Sequence, residues 1–280
     1  MTGTAALQDA VARLRAAGVD DPAGDARRLL LHAFGSDLQR HQLAERLSQP
    51  LPGSVAARFQ AMVTARAARQ PVSQITGRRA FWTHDFAVTR DTLDPRPETE
   101  VLVEAALGLS WHNVLDLGTG TGAILISLLA ARPGSLGLGT DVSEAALRVA
   151  RGNATRIGVS ADFRLSDWFA NVAGRFDLIV SNPPYIAISE MTGLSPEVRE
   201  WEPAGALTDG GDGLSAYRAI AAGAGRHLNH GGHVLCEIGA AQGPAVSALF
   251  REAGAEVRVI TDLDGRDRVV ASRFRQESAG

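Results

Sequence analysis

From Asn113 to the end of the chain, short apolar runs of β-strand composition alternate with stretches of helical spacing. The runs fall at residues 114–117, 137–141, 161–165, 176–181, 233–238, 256–260 and 268–272. Helices are predicted between them over 123–131, 144–153, 216–227 and 244–253. Near-continuous apolar runs of this length suit strands covered by helices on both faces. Parallel neighbours need a crossover connection, and in one sheet that crossover is right-handed. The alternation therefore predicts an α/β fold, a doubly wound sheet of seven strands. Sheets of this kind bind ligands beyond the carboxyl ends of their strands, where the strand order reverses.

Upstream of this region the period changes. Residues 4–70 carry no strand pattern, and Leu7, Val11 and Leu14 recur at helical spacing, as do Ala26, Leu29, Leu30, Ala33 and Phe34. Asp21-Pro22 reads as an N-cap with proline at the first helical position. Pro50, Pro52 and Gly53 interrupt, and a helix resumes over 54–69. Residues 1–72 are thus expected to form a small all-α bundle with closely packed alanine faces. Residues 73–95 read as a β-hairpin linker, from the short runs 80–82 and 85–88 around Thr83-His84. The third region, 96–280, opens on the segment Pro95-Arg96-Pro97-Glu98-Thr99-Glu100. Pro97 suits a first helical turn, and Glu98 and Glu100 suit the positive end of a helix through Val101, Leu102, Ala105 and Ala106. Capping accounts for the acids but not for an arginine held between two prolines. Arg96 is expected to orient a carboxylate in a pocket wall.

The glycine turn Gly118-Thr119-Gly120-Thr121-Gly122 follows the first strand and opens its helix, so a ligand can approach bare backbone N–H groups there. Gly118-x-Gly120-x-x-Ala123 also fits a nicotinamide dinucleotide fingerprint and does not by itself choose between cofactors. Asp116 either joins that site or braces the turn. Asp141 ends the second strand, where a carboxylate accepts hydrogen bonds from a ribose diol. Its competing reading is a cap on the helix that opens near Ser143. Asp167-Trp168 follows the third strand: the indole either lies on an adenine face beside a carboxylate or packs in the core. Asn182-Pro183-Pro184-Tyr185 follows the fourth. Two prolines cannot continue a central strand, and Pro184 pushes Pro183 toward an extended backbone. The Asn182 amide oxygen and the Pro183 carbonyl are then two acceptors side by side, with the Tyr185 ring next to them. Such a group suits a planar NH2, whose two hydrogens the acceptors take and whose flat face the ring covers. A dehydrogenase has no use for it, whereas a methyltransferase acting on a planar nitrogen does.

With these motifs in place, the chain from about Ala80 to Arg273 resembles the release factor glutamine methyltransferases. The likeness rests on residues 94–100, 115–122 and 181–186, on Glu202-Pro203, on the glycine-rich 210–214 and on 264–270. Asp94 departs from the family, which is usually aliphatic there. The resemblance implies a seven-stranded Rossmann-like class I methyltransferase domain preceded by the helical bundle and hairpin linker. It implies that S-adenosyl-L-methionine binds at Gly118, Thr119, Gly120, Thr121, Gly122, Asp141, Asp167, Trp168 and Asn182, leaving S-adenosyl-L-homocysteine. It assigns catalysis to Asn182, Pro183 and Tyr185, and the substrate glutamine to Asn182, Pro183, Pro184 and Tyr185. The substrate would be the Gly-Gly-Gln glutamine of peptide chain release factors, gripped partly by the helical region. The Asn-Pro-Pro-Tyr motif alone is shared with enzymes that methylate exocyclic amines of DNA or RNA bases, which is the alternative reading.

Composition bears on that alternative. Residues 1–80 carry 11 Arg against 6 acids, residues 81–280 carry 17 Arg against 25, and there is no Lys. The basic first segment suits an acidic or phosphate-bearing partner, or is simply a solvated helical surface. No dense Lys/Arg run marks a nucleic-acid footprint, and the acidic remainder argues against a base substrate, so direct nucleic-acid binding is not expected. No apolar run reaches about 18 residues, so no membrane span is expected. Met1-Thr2-Gly3-Thr4 does not open a signal peptide, and the single cysteine, Cys236, excludes an internal disulfide and a cysteine zinc site. His227, His230 and His233 are spaced by three, but Gly231-Gly232 breaks any helix that would align them, so no metal is expected. Together these features point to the cytoplasm.

Overall fold

The computed structural model describes residues 1–35 and 40–274. Residues 36–39, inside the stretch expected to be helical, and 275–280, at the end of the third region, lie outside them. The chain divides into two compact units, residues 1–78 with 195–201 and residues 79–194 with 202–280.

The first unit is helical: α1 (Gly3–Ala16), α2 (Pro22–Phe34), α3 (Arg40–Leu47), α4 (Gly53–Ala67) and α5 (Val72–Thr76). Asp21 caps α2 as its sequence suggests, its carboxylate accepting the Gly24 N–H at 2.9 Å, with Pro22 in the first turn. Ala6, Ala10 and Leu14 of α1 pack with Leu29, Leu30 and Ala33 of α2 and Phe59 and Val63 of α4, all of them wholly buried. Alanine every fourth residue lets the helix backbones approach closely. Buried Asp25 is paired with Arg66 at 2.7 Å. Residues 195–201, which the sequence reading left in the third region, group here through Glu197, which pairs with Arg66 at 2.8 Å and Arg69 at 2.6 Å.

The second unit begins inside the hairpin of β1 (Arg78–Phe81) and β2 (His84–Ala87), at residue 79, and continues with a 3-10 turn over Pro97–Thr99 and α6 (Glu100–Leu107). Glu100 accepts the Trp82 N–H at 2.8 Å and so ties the hairpin turn to the start of α6. The elements β3 (Asn113–Leu117), α7 (Ala123–Ala131), β4 (Leu136–Asp141), α8 (Glu144–Ile157), β5 (Asp162–Leu165) and β6 (Phe176–Ser181) follow. Then come α9 (Pro196–Trp201, part of the first unit), α10 (Ala204–Leu207), α11 (Ser215–His227), β7 (Leu228–Glu237), α12 (Gly243–Glu252), β8 (Ala255–Thr261) and β9 (Asp267–Phe274).

The seven strands stand in the order β5-β4-β3-β6-β7-β9-β8. All neighbours are parallel except the two pairs that β9 makes, which are antiparallel. The chain runs outward from β3 to β5 and returns to β6 on the other side of β3, so the order reverses there. Leu117 is paired with both Thr140 and Ser181, and Ser181 with Cys236. The carboxyl ends of β3, β4, β6 and β7 are therefore level, and the residues after them share one rim. Strand residues alternate between two cores. Val114, Leu178, Val180 and Leu235 pack with α6 and α7, while Leu115, Ile179, Val234 and Cys236 pack with Tyr217 and Ile220 of α11 and Phe250 of α12.

Two stretches differ from the sequence reading. β7 begins at Leu228, five residues before the expected His233, because its pairing with β6 shifts between Phe176 and Leu178 and takes up the Gly231-Gly232 pair as an irregularity instead of a break. Residues 188–207 hold a 3-10 segment (Ile188–Gly193) and the two short helices α9 and α10, where no element was expected.

Candidate functional site

The rim at the reversal point holds a cavity of about 240 Å³. Gly118 and Gly120 line it with φ of +72° and +54°, in the left-handed region where side chains are disfavoured. No atom lies within 4 Å of where a Cβ would stand at either, so that space belongs to the cavity. Thr119 and Thr121 line it too. Gly122 does not: a Cβ there would sit 2.8 Å from the Ile126 side chain, so this glycine serves the packing of α7.

Asp116, one residue before the end of β3, is wholly buried and accepts the Thr119 hydroxyl at 2.6 Å. It braces the turn from below, and burial pushes its carboxyl up to about 7. Asp141 stands on the cavity wall. Its two oxygens accept the Gly120 N–H at 3.0 Å and the Ser143 N–H at 2.9 Å, and burial raises its carboxyl. The cap of α8 is Ser143, which accepts the Ala146 N–H at 3.2 Å. Each carboxylate oxygen of Asp141 keeps a lone pair for a further donor.

Trp168 lines the cavity with a φ of +44° and also packs against the core on the α11 side. The Ser166 hydroxyl holds this turn, donating to the Trp168 carbonyl at 2.8 Å and accepting the Asn171 N–H at 3.0 Å. Asp167 is exposed and is not part of the cavity lining.

Asn182 and Pro184 line the cavity. The Asn182 Nδ2 donates to the Thr99 hydroxyl oxygen at 3.2 Å. Pro183 is buried and Tyr185 half-buried, and neither is part of the cavity lining. The Tyr185 ring packs on the α11 core, its carbonyl accepts the Gln242 side chain at 2.9 Å, and burial pushes its phenol up to about 12. Arg96 also lines the cavity, and its guanidinium meets the buried Glu202 carboxylate at 2.6 Å. Arg96 was expected to orient a carboxylate in the pocket wall; Glu202, the one it meets, is buried outside the cavity lining. Burial, reinforced by Asp94, pushes Glu202 up to about 7 in spite of that arginine.

The sequence reading missed Glu202 as the partner of Arg96, Thr99 as the partner of Asn182, and Ser166. Of these, Thr99 lies in the quoted Pro-Arg-Pro-Glu-Thr-Glu segment and Glu202 in the quoted Glu-Pro pair. The chemistry of the wall suits a nucleoside-type cofactor: open backbone at two glycines, a carboxylate with spare lone pairs and an indole beside it. His227 is stacked on Phe169 with ring centres 4.7 Å apart. No helix among the described residues is long and apolar enough to cross a membrane.

Comparison with known proteins follows the same division. The Methyltransferase small domain family matches residues 79–195, and the PrmC N-terminal domain family matches residues 5–77. A protein of Cereibacter sphaeroides named release factor glutamine methyltransferase is 60% identical over 98% of this chain and 99% of its own length. One of the same name from Rhodospirillum rubrum is 44% identical over 94% of this chain and 82% of its own length. Among solved structures, a methyltransferase from Pyrococcus furiosus is similar with a TM-score of 0.55 at 18% identity, covering 79% of this chain and all of its own. That likeness shows the class I methyltransferase fold in the second unit, and the near full-length identity to curated relatives shows more: the chain belongs to the release factor glutamine methyltransferase family.

Proposed function

We propose that this protein transfers a methyl group from S-adenosyl-L-methionine to the side-chain amide nitrogen, N5, of the glutamine in the Gly-Gly-Gln motif of peptide chain release factors. The other product is S-adenosyl-L-homocysteine, and the place of action is the cytoplasm, where termination of translation occurs. The observation that carries this reading is that Asn182 lines the same cavity as the glycine turn and Asp141. An acceptor for a planar amide thus adjoins a site suited to a nucleoside.

S-adenosyl-L-methionine, when bound, supplies an electrophilic methyl carbon on a sulfonium. The rest falls to the chain. Gly118, Thr119, Gly120 and Thr121 offer open backbone, Asp141 accepts from a ribose diol, and Trp168 offers a flat face to adenine. A carboxamide nitrogen is a poor nucleophile, because its lone pair is delocalised into the carbonyl. Asn182 Oδ1 and the Pro183 carbonyl take its two hydrogens, stop its rotation and raise its electron density. Pro184 and Tyr185 hold that pair of acceptors in place, and positive charge growing on nitrogen strengthens both hydrogen bonds in the transition state. Alignment of this kind contributes several kcal/mol, up to roughly 7–11 in ideal cases. As it gains the methyl group the nitrogen becomes strongly acidic and gives one proton to water, so no dedicated base is needed. With its phenol raised to about 12, Tyr185 stays neutral near pH 7 and is not the base.

The test is mass spectrometry of a release factor incubated with the protein and S-adenosyl-L-methionine. One added methyl, placed by fragmentation on the glutamine side chain, is the expected result. An unmodified glutamine, or a methyl elsewhere, contradicts the proposal.

A further inference from the structure

Glu237, the last residue of β7, is 2% exposed, and no mechanistic step so far uses it. It stands at the rim one position beyond Cys236, the partner of Ser181, and so beside the point where the chain turns out at Asn182. The Thr99 hydroxyl neighbours its carboxylate and favours the ionised form, while its Oε2 accepts no hydrogen bond. The same hydroxyl oxygen accepts the Asn182 Nδ2 at 3.2 Å. Three groups from distant parts of the chain thus form one line, from the carboxylate through the hydroxyl to the amide.

A hydroxyl has one proton to give. When a carboxylate takes it, the hydroxyl oxygen can only accept. Asparagine must then turn its NH2 toward Thr99, and its carbonyl oxygen is left for the cavity. The two ends of an amide are distinguished by such partners. We propose that Thr99 and Glu237 are positioning residues that fix which end of the Asn182 amide faces the substrate, an inference that rests on the methyl-transfer reading given above. With Glu237 ionised, Oδ1 is presented and accepts an N–H of the substrate carboxamide. With Glu237 protonated, the carboxyl donates to Thr99 and the hydroxyl is free to donate to Oδ1. The amide then turns and offers the cavity a donor, which repels an NH2 group.

The setting places this reversal near neutrality. Burial raises the Glu237 carboxyl to about 7. The groups that face it are Arg96 and Glu98 from the segment before α6, Arg268 from β9, Tyr185 after β6 and Tyr217 from α11. Both arginines favour the ionised form, and Glu98 opposes it. The Tyr217 hydroxyl donates to the Glu237 main-chain carbonyl at 2.8 Å, which fixes the backbone and leaves the carboxylate to Thr99.

The test uses the full-length protein and the variants Thr99→Val, Thr99→Ser and Glu237→Gln. Single-turnover methyl transfer to a release factor is measured at saturating cofactor from about pH 5.5 to 8.5. Cofactor affinity is measured by calorimetry, and the Asn182 side-chain amide resonances, assigned by their loss in Asn182→Ala, are followed against pH without substrate. Thr99→Val is expected to lower the rate by about 10–100-fold, the usual scale for removing a group that orients a site residue. Thr99→Ser should keep most of the rate, and cofactor affinity should be unchanged in both. In the wild type the Asn182 resonances should titrate near neutrality and the rate should fall with them on the acid side. Both dependences should flatten in Glu237→Gln. A wild-type rate in Thr99→Val, or an Asn182 resonance that titrates identically in Glu237→Gln, overturns the proposal. If the wild type leaves the release factor unmethylated, the proposed function fails, and the resonance titration still decides the positioning role.

Discussion

Gly213 lies under the loop that carries Tyr185, and substituting it tests whether the position of that loop controls the reaction. Its φ is +76°, and a Cβ built on it would stand 3.0 Å from the Tyr185 carbonyl carbon, 3.2 Å from the Ala187 nitrogen and closer still to the Tyr185 carbonyl oxygen. All three obstacles are backbone, so no flexible side chain can give way. Gly213→Ala therefore forces residues 185–187 outward by on the order of 1 Å, and Asn182 with them, a misplacement that lowers a rate about 100-fold. The left-handed backbone adds roughly 1–2 kcal/mol of strain. For a domain of this size that is a fall in Tm of about 2–8 °C. The cavity wall at Gly118 to Thr121 and at Asp141 belongs to other segments, so cofactor affinity should stay within about three-fold of wild type, under 1 kcal/mol. The assay is single-turnover methyl transfer beside cofactor calorimetry and a melting curve. A rate within two-fold of wild type in a variant with the expected loss of Tm would refute the reasoning.

Asp141→Ala removes a carboxylate from the cavity wall and should weaken cofactor binding about 10–100-fold by calorimetry, the scale of one hydrogen bond to a charged group; unchanged affinity would count against the ribose assignment. Asp116 has its carboxyl raised from 3.8 to about 7, so its favourable contribution to folding is complete below about pH 4 and is lost as pH rises through about 7. Asp116→Asn should accordingly raise stability at pH 8 and not at pH 4, by on the order of 4 kcal/mol at most, and an equal Tm difference from wild type at both values would contradict this. Arg96→Ala strips the counter-charge from Glu202, whose side chain is 1% exposed. With a third of the arginine open to solvent, the loss should be about 2–3 kcal/mol at pH 8, below the 3–5 of a fully buried pair. The same variant should melt closer to wild type at pH 6, where Glu202 takes a proton, and equal losses at the two pH values would argue against the pair.

The sheet was legible because burial on two faces leaves little choice of composition: residues 114–117, 137–141 and 176–181 read as strands and lie within one residue of β3, β4 and β6. The site residues that follow those strands directly, Gly118, Asp141 and Asn182, were legible for the same reason, since a topological rule places strand ends on the rim. β7 was misjudged at its start because a glycine pair reads as a break when the neighbouring strand that absorbs it is unseen. The segment 186–214 was opaque for a different reason. Its order comes from irregular links: Ile186 bridges Thr208, 22 positions on, and within the loop the Asp209 carboxylate accepts the N–H groups of Gly211, Gly213 and Ser215. No local period announces such links. The partners of the site residues were hidden by chain separation, Thr99 lying 83 positions from Asn182 and Arg96 106 from Glu202. Asp167 and Trp168 were read as a pair, and of the two only Trp168 lines the cavity.

The account stands on the Asn182 side-chain oxygen acting as an acceptor for the reacting amide. Its most direct test is single-turnover methyl transfer to a release factor by Asn182→Ala at saturating S-adenosyl-L-methionine, with cofactor affinity measured on the same preparation. The rate should fall by at least about 100-fold while the affinity stays close to wild type, the signature of a contact made in the transition state. A near wild-type rate would contradict the account, as would a rate recovered in full by raising the cofactor concentration.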